Sequence, residues 1–217
     1  MVEFRDIKKI LIIKLRHIGD VLLTIPAVRA VKNTFPNANI TIVVNSGTEA
    51  VLEGNPLINE IFALDRSMLK QSLFKRAGYE VSFIKKLRGG HFDMAIDFTG
   101  GDRPALYSFL SGAIYRLGYD AMDGFAGKRF LYTHRFGVNK ENHAILQNLE
   151  LLSKAGIAVN NIAVDFYISR NDEEWLSAVL LERGVKDGDV IVHIHPTSRW
   201  LFKCWKDEAM ADVIDHI

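Results

Sequence analysis

Little in this chain could cross-link it or anchor it in a membrane. A single cysteine, Cys204, stands among 217 residues, so an intramolecular disulfide is excluded and a reducing compartment, the cytoplasm, is the expected setting. No apolar run reaches the roughly 20 residues that span a bilayer. Met1 to Lys9 mixes Glu3, Arg5, Asp6, Lys8 and Lys9 with few apolar residues, without the charged-then-apolar order of a signal peptide. An excess of one charge is missing as well: the formal net charge is +1, so no nucleic-acid partner is expected. Repeats, low-complexity tracts and Cys/His spacings of the metal-binding kind are absent. His193 and His195 share a strand face, but no third ligand accompanies them, so neither a metal nor another cofactor is expected. Glycine is scarce where a nucleotide turn would need it. With no G-x-G-x-x-G and no G-K-[ST], hydride transfer and NTP hydrolysis are disfavoured.

What is present is a regular alternation. The hydrophobic content of 48% is enough for one substantial core and the start of another. Lys9 to Leu15 is an apolar run bracketed by charge, the signature of a strand buried on both faces. Val21, Leu22, Ile25, Val28, Val31 and Phe35 then recur at helical spacing, with Pro26 in the first turns and Pro36 closing the helix. Further strands are expected at Ile40 to Val44, Glu60 to Leu64, Asp93 to Phe98 and Tyr115 to Tyr119. Between them lie a short helix at Thr48 to Glu53, a long one from Met68 to Leu87 broken near Gly78, and one from Arg103 to Leu110. Parallel strands need crossover connections, so this order predicts an α/β fold with a doubly wound, Rossmann-like parallel sheet. Tyr119 to Arg135 reads as a surface loop, and His143 to Ala155 as a helix ended by an αL glycine, Gly156. Val164 to Tyr167 reads as strand-like, and Ser169 and Asp172 form a capping-box pattern for the next helix.

The short, glycine-bracketed stretch Gly184 to Gly188 marks the expected domain boundary, dividing residues 1–184 from 185–217. Asp189 to Pro196 restarts a strand pattern and Asp207 to Ile217 a helix. One strand and one helix cannot bury a core of their own, so the second domain is expected to be incomplete and the chain a fragment.

Two loops carry candidate chemistry. In open α/β sheets ligands bind beyond the carboxyl ends of the strands, which places Arg16, His17, Gly19 and Asp20 at a ligand edge. Gly19 gives the backbone room to turn sharply, and Asp20 is either a helix cap or a functional carboxylate. Pro196 to Trp205 follows the matching strand of the partial domain and holds two hydroxyls, two cations and two indoles. It is either a phosphate-binding loop or an exposed loop packed by its aromatics. A third feature is a surface: Arg66 to Arg88 contains seven basic residues and one acid, Glu80, interleaved with Leu69, Leu73, Phe74, Val81, Phe83 and Ile84. It is either a solvated helix face or a contact for anionic lipid or glycolipid.

"LRHIGDVLLTIP" at Leu15 to Pro26 and "PTSRWLFKCW" at Pro196 to Trp205 together resemble the bacterial lipopolysaccharide heptosyltransferases, most closely the third type. "DFTGGDRPAL" at Asp97 to Leu106 and "HAILQNLELL" at His143 to Leu152 look like segments of the same family. The resemblance runs from Lys8 to the end of the chain. It implies a GT-B architecture in which an N-terminal Rossmann-like domain receives a lipopolysaccharide core acceptor and a C-terminal one receives ADP-heptose. It further implies Asp20 as catalytic base, Lys203 as the charge on the leaving diphosphate, and Thr197 and Ser198 as hydroxyls on phosphate. Arg103 and His17 are implied as acceptor contacts, and the enzyme is expected at the inner membrane surface. Two other readings stay open: a non-catalytic α/β module binding glycolipid or protein, and a GT-B transferase using another nucleotide sugar.

Overall fold

A computed structural model describes residues 2–120, 124–125, 127–186, 188–198 and 200–217. Asp187, inside the expected boundary, and Ala121 to Asp123 and Ala126, inside the expected loop, lie outside the described residues. The chain forms two compact units, Met1–Ser169 and Arg170–Ile217.

The first unit is built on six strands: β1 (Lys9–Lys14), β2 (Asn39–Asn45), β3 (Glu60–Leu64), β4 (Met94–Asp97), β5 (Tyr115–Tyr119) and β6 (His134–Phe136). All pairings are parallel, in the order β3-β2-β1-β4-β5-β6. The doubly wound α/β sheet expected from the alternation is therefore present. β1 occupies its middle, which explains the continuous apolar run: Ile10 and Ile12 face one core, Leu11 and Ile13 the other. Each such side chain contributes about 2 kcal/mol on burial.

The first core is closed by α1 (Ile18–Leu22), α2 (Ile25–Thr34) and α5 (Ala144–Ala155), through Val21, Val28, Val31, Leu149 and Leu152. The second is closed by α3 (Leu73–Gly89) and α4 (Asp102–Leu110), through Phe83, Leu87 and Tyr107. Pro26 sits in the first turn of α2, where its missing N–H costs least. Gly156 ends α5 with a φ of 91° while the Ile157 N–H donates to the Leu152 carbonyl.

Several local expectations are corrected. α3 runs unbroken through Gly78, whose propensity cost of about 1 kcal/mol is below what packing of Phe83 and Leu87 supplies. The break falls earlier, at Gln71 and Ser72, after a 3₁₀ turn over Arg66–Lys70. The expected loop at Tyr119 to Arg135 contains a 3₁₀ turn, Lys128–Leu131, and leads into β6. Gly19 lies inside α1 without a positive φ, and a Cβ there would meet nothing within 4 Å, so no sharp turn depends on it. Val164 to Tyr167 forms no strand, and Asp165 within it is ion-paired with Arg29.

The second unit holds α6 (Arg170–Glu182) and α7 (Asp207–Asp215). Asp189 to Pro196 is not a strand. A strand needs a hydrogen-bonding neighbour, and the described residues of this unit supply none; Val190, Ile191 and Val192 are exposed.

Gly118 tests how tightly the sheet is packed beside β6. A Cβ built on it lies 2.5 Å from Cε1 of the buried Tyr132 ring. Gly118→Ala should therefore destabilise the chain by about 1–3 kcal/mol, read as a lower urea midpoint at unchanged slope.

Candidate active site

β1 and β4 are neighbours, yet the chain leaves them toward opposite halves of the sheet. This reversal opens a crevice at their carboxyl ends. A cleft of about 430 Å³ lies there, lined by Lys14 at the end of β1, Arg16 and Asp20 after it, Thr99 and Gly100 after β4, Tyr119 and Asp120 at the end of β5, and Lys140 and Asn148 around α5.

Asp20 occupies the first turn of α1, and its Oδ2 accepts a 3.3 Å hydrogen bond from the backbone N–H of His17. It is thus a reciprocal cap as well as a cleft residue, and its carboxylate remains 38% exposed. The His17 ring is more open, with Nδ1 3.8 Å from Asp20 Oδ2. Below them Lys14 is only 5% exposed, and its ammonium donates to the Phe98 carbonyl at 2.9 Å. Burial pushes the Lys14 amine down to about 8, with the negative charge of Asp20 opposing the shift. Arg16 donates to the Thr99 carbonyl at 3.2 Å. Three basic residues, Lys14, Arg16 and Lys140, thus share the cleft with two carboxylates, Asp20 and Asp120, the second of which is paired with Arg135 at 2.8 Å.

The wall formed by α5 carries an uncommitted donor. Asn148 is buried, and its Oδ1 accepts from the Tyr119 hydroxyl at 2.8 Å. Its Nδ2 finds no partner among the described residues. A buried amide of this kind suits the oxygen of a bound ligand.

Behind the cleft, Asp97 has no solvent contact. Its carboxylate accepts from the Tyr132 hydroxyl at 2.6 Å and from the backbone N–H groups of Thr99 and Gly100 at 2.7 and 3.1 Å. Burial pushes the Asp97 carboxyl above its usual range despite these donors, and the neighbouring Tyr119 and Tyr132 phenols are pushed up as well, chiefly by burial. Gly100, at a φ of 79°, takes a left-handed turn with Tyr119 close above it.

Arg103 does not line this cleft. Its guanidinium is ion-paired with Glu80 and donates to the Tyr107 hydroxyl at 2.8 Å, while that hydroxyl donates to Glu80 at 2.6 Å. It fastens α4 to α3.

In the second unit Thr197, Ser198 and Lys203 are exposed on one turned loop. The Ser198 N–H donates to Cys204 Sγ at 3.1 Å, and a 3₁₀ turn spans Leu201–Lys203. Ser198 is thereby folded back beside the residue that follows Lys203. Arg199, the other cation of the loop, lies outside the described residues.

Sequence reasoning found the loop of Asp20 but missed Lys14, Tyr119, Lys140 and Asn148. In the sequence Lys14 reads as the charged bracket of a strand. Asn148 did leave a signal: it falls on the apolar stripe of α5 with Ile145, Leu149 and Leu152, where a polar residue needs a reason.

Comparison with known proteins gives a consistent result. The chain is 30% identical over 206 residues to lipopolysaccharide heptosyltransferase 3 of Escherichia coli (strain K12), covering 93% of this chain and 57% of that protein. It is 28% identical to a second Escherichia coli lipopolysaccharide heptosyltransferase 3, covering 93% of this chain and 58% of the relative. The chain thus spans a little over half the length of the curated relatives it matches. Among solved structures, a glycosyltransferase family 9 protein from Veillonella parvula DSM 2008 superposes with a TM-score of 0.84 at 21% identity, over 96% of this chain and 59% of that one. E. coli ADP-heptose lps heptosyltransferase II superposes at 0.69 and 17% identity, over 96% and 62%. E. coli heptosyltransferase WaaC, solved with ADP-2-deoxy-2-fluoro heptose, does so at 0.62 and 23% identity, over 72% and 51%. The profile of glycosyltransferase family 9 (heptosyltransferase) matches residues 81–217. The family that the loops of Asp20 and Lys203 resemble is the one found: this chain belongs to glycosyltransferase family 9, the heptosyltransferases.

Proposed function

We propose that the protein is an inverting transferase that moves heptose from ADP-heptose to a lipopolysaccharide core sugar. Residues 1–184 would hold the acceptor and residues 185–217 begin the donor-binding part. The observation that carries this reading is Asp20: a partly exposed carboxylate at the switch point of the sheet, in a cleft that also holds Lys14, Arg16 and Lys140 and whose second carboxylate, Asp120, is paired with Arg135, in a chain of this family.

In this mechanism an acceptor hydroxyl enters the cleft and gives its proton to Asp20 as its oxygen attacks the anomeric carbon of the donor. The bond to the diphosphate breaks on the opposite face, inverting the centre. Lys203, Thr197 and Ser198 meet the charge that grows on the departing phosphate. Lys14, Arg16 and Lys140 offer positive charge to an acidic acceptor, and the unpaired Nδ2 of Asn148 offers a donor to a sugar oxygen. His17, which does not line the cleft but whose Nδ1 lies 3.8 Å from Asp20 Oδ2, is a further acceptor contact, and Arg103 keeps its structural pairing with Glu80.

Magnitudes separate this role of Asp20 from capping alone. Loss of a cap costs about 1 kcal/mol of stability, whereas loss of a general base costs about 10²–10⁴-fold in rate. In the natural protein, Asp20→Asn should lower kcat for acceptor-dependent ADP release by at least about a hundredfold while shifting the urea midpoint little. Full activity in a folded variant would return Asp20 to capping. Lys203→Ala should lower the same rate about 10²–10³-fold, with tryptophan fluorescence titration reporting weaker ADP binding. If several acceptors and ADP-heptose give no turnover, a different nucleotide sugar becomes the donor to test.

Lys14 supplies a pH dependence of defined sign. Its pKa in the fold is about 8 against an ordinary 10.5. The cost of burying its charge is therefore present in full below about pH 8 and fades as the pH nears 10.5. Relative to Lys14→Met, the native chain should gain stability between about pH 7.5 and about pH 10, measured by urea unfolding. The same variant should raise KM for an acidic acceptor.

A further inference from the structure

The outward face of α3 is built unlike an ordinary solvated helix. Phe83 and Leu87 turn inward to the second core, with Tyr79 and Ile84 half-buried beside them. At 100° per residue, Phe74, Val81, Lys85 and Arg88 share the opposite face. Phe74 is 91% exposed and its neighbour Leu73 78%, at the first turn of the helix. Two large apolar side chains side by side in water are an unfavourable arrangement for a free surface.

The charges around them are segregated. Arg66 to Arg88 holds seven of the chain's 27 basic residues and one of its 26 acids. That acid, Glu80, is occupied by Arg103 and Tyr107. Lys86 lies over the Phe62 ring at 3.7 Å, but Lys70, Lys75, Arg76 and Lys85 are exposed, and no ion pair forms to them among the described residues. An apolar wedge ringed by unopposed cations complements an anionic bilayer surface: the rings enter the headgroup boundary and the bases meet lipid phosphates. No helix among the described residues is long and apolar enough to cross a membrane, so the contact is interfacial.

Topology adds an independent argument. α3 begins where the chain leaves the carboxyl end of β3, so Leu73 and Phe74 lie at the same edge of the sheet as the cleft of Asp20. A surface that docks there would bring a lipid-linked molecule to the cleft mouth.

We infer that the Leu73–Phe74 wedge and the bases Lys70, Lys75, Arg76 and Lys85 dock this protein on the surface of an anionic membrane. The inference goes beyond the transfer reaction and stands without it, since vesicle binding requires neither donor nor acceptor. Co-sedimentation of the chain with phosphatidylglycerol/phosphatidylcholine vesicles tests it, with pure phosphatidylcholine as the control. Binding should need the anionic lipid and fall with added salt. Phe74→Ser should weaken it about tenfold, and Lys75→Glu with Arg76→Glu by more than about tenfold, each with an unchanged circular dichroism spectrum. The inference is overturned by absence of binding, by equal binding to both vesicle types, or by folded variants that bind as the native chain does. It is also overturned if gel filtration shows a native dimer that Phe74→Ser dissociates, for then the wedge is occupied by a second copy.

Discussion

The turn after β4 is the joint on which the rest of the first unit depends. Asp97 draws the backbone N–H groups of Thr99 and Gly100 onto its buried carboxylate and takes a third bond from Tyr132. Thr99 then reaches across to β1, accepting from the Leu15 N–H at 2.8 Å. The carbonyls of the same turn are held by cations, Phe98 by Lys14 and Gly100 by Lys128 at 2.6 Å. Removal of one member leaves buried polar groups unpaired, which is costlier than the bond itself. This cross-bracing holds Lys14 and Thr99 in fixed relation across the seam between β1 and β4.

A buried cation and a buried carboxylate so close to an open cleft are poor material for stability alone. Both have their charged forms disfavoured by burial, and apolar residues of similar volume would pack there at lower cost. Their retention fits a site whose field is set in advance. A positive floor and a carboxylate at the rim present opposite charges to a ligand before it arrives, so less reorganisation is needed when it binds.

The fold class was legible because burial on two faces writes a strand as an apolar run. Lys9 to Leu15, Ile40 to Val44 and Asp93 to Phe98 are such runs, and they form the middle of the sheet. β6 was not legible: His134, Arg135 and Phe136 are three residues at the sheet edge, held by pairing with β5 rather than by propensity. Asp189 to Pro196 shows the converse, a strand pattern that lacks a partner. In the cleft, Asp20 was visible from its place after β1, but Lys14 and Asn148 were hidden among apolar neighbours. Their place at the cleft comes from the crevice beyond the carboxyl ends of β1 and β4, a relation between distant segments that no local window contains.

That distance has a consequence for assembly. Lys14 and Phe98 are 84 residues apart in the chain, whereas β2 follows β1 after only the two short helices α1 and α2. Closing the longer loop carries the larger entropic cost, so the β1–β4 seam belongs to the slow part of folding. Until it closes, the central strand β1 is an unprotected edge, open to pairing with another chain. The seam that makes the cleft is thus also the place where a half-folded molecule is most prone to aggregate.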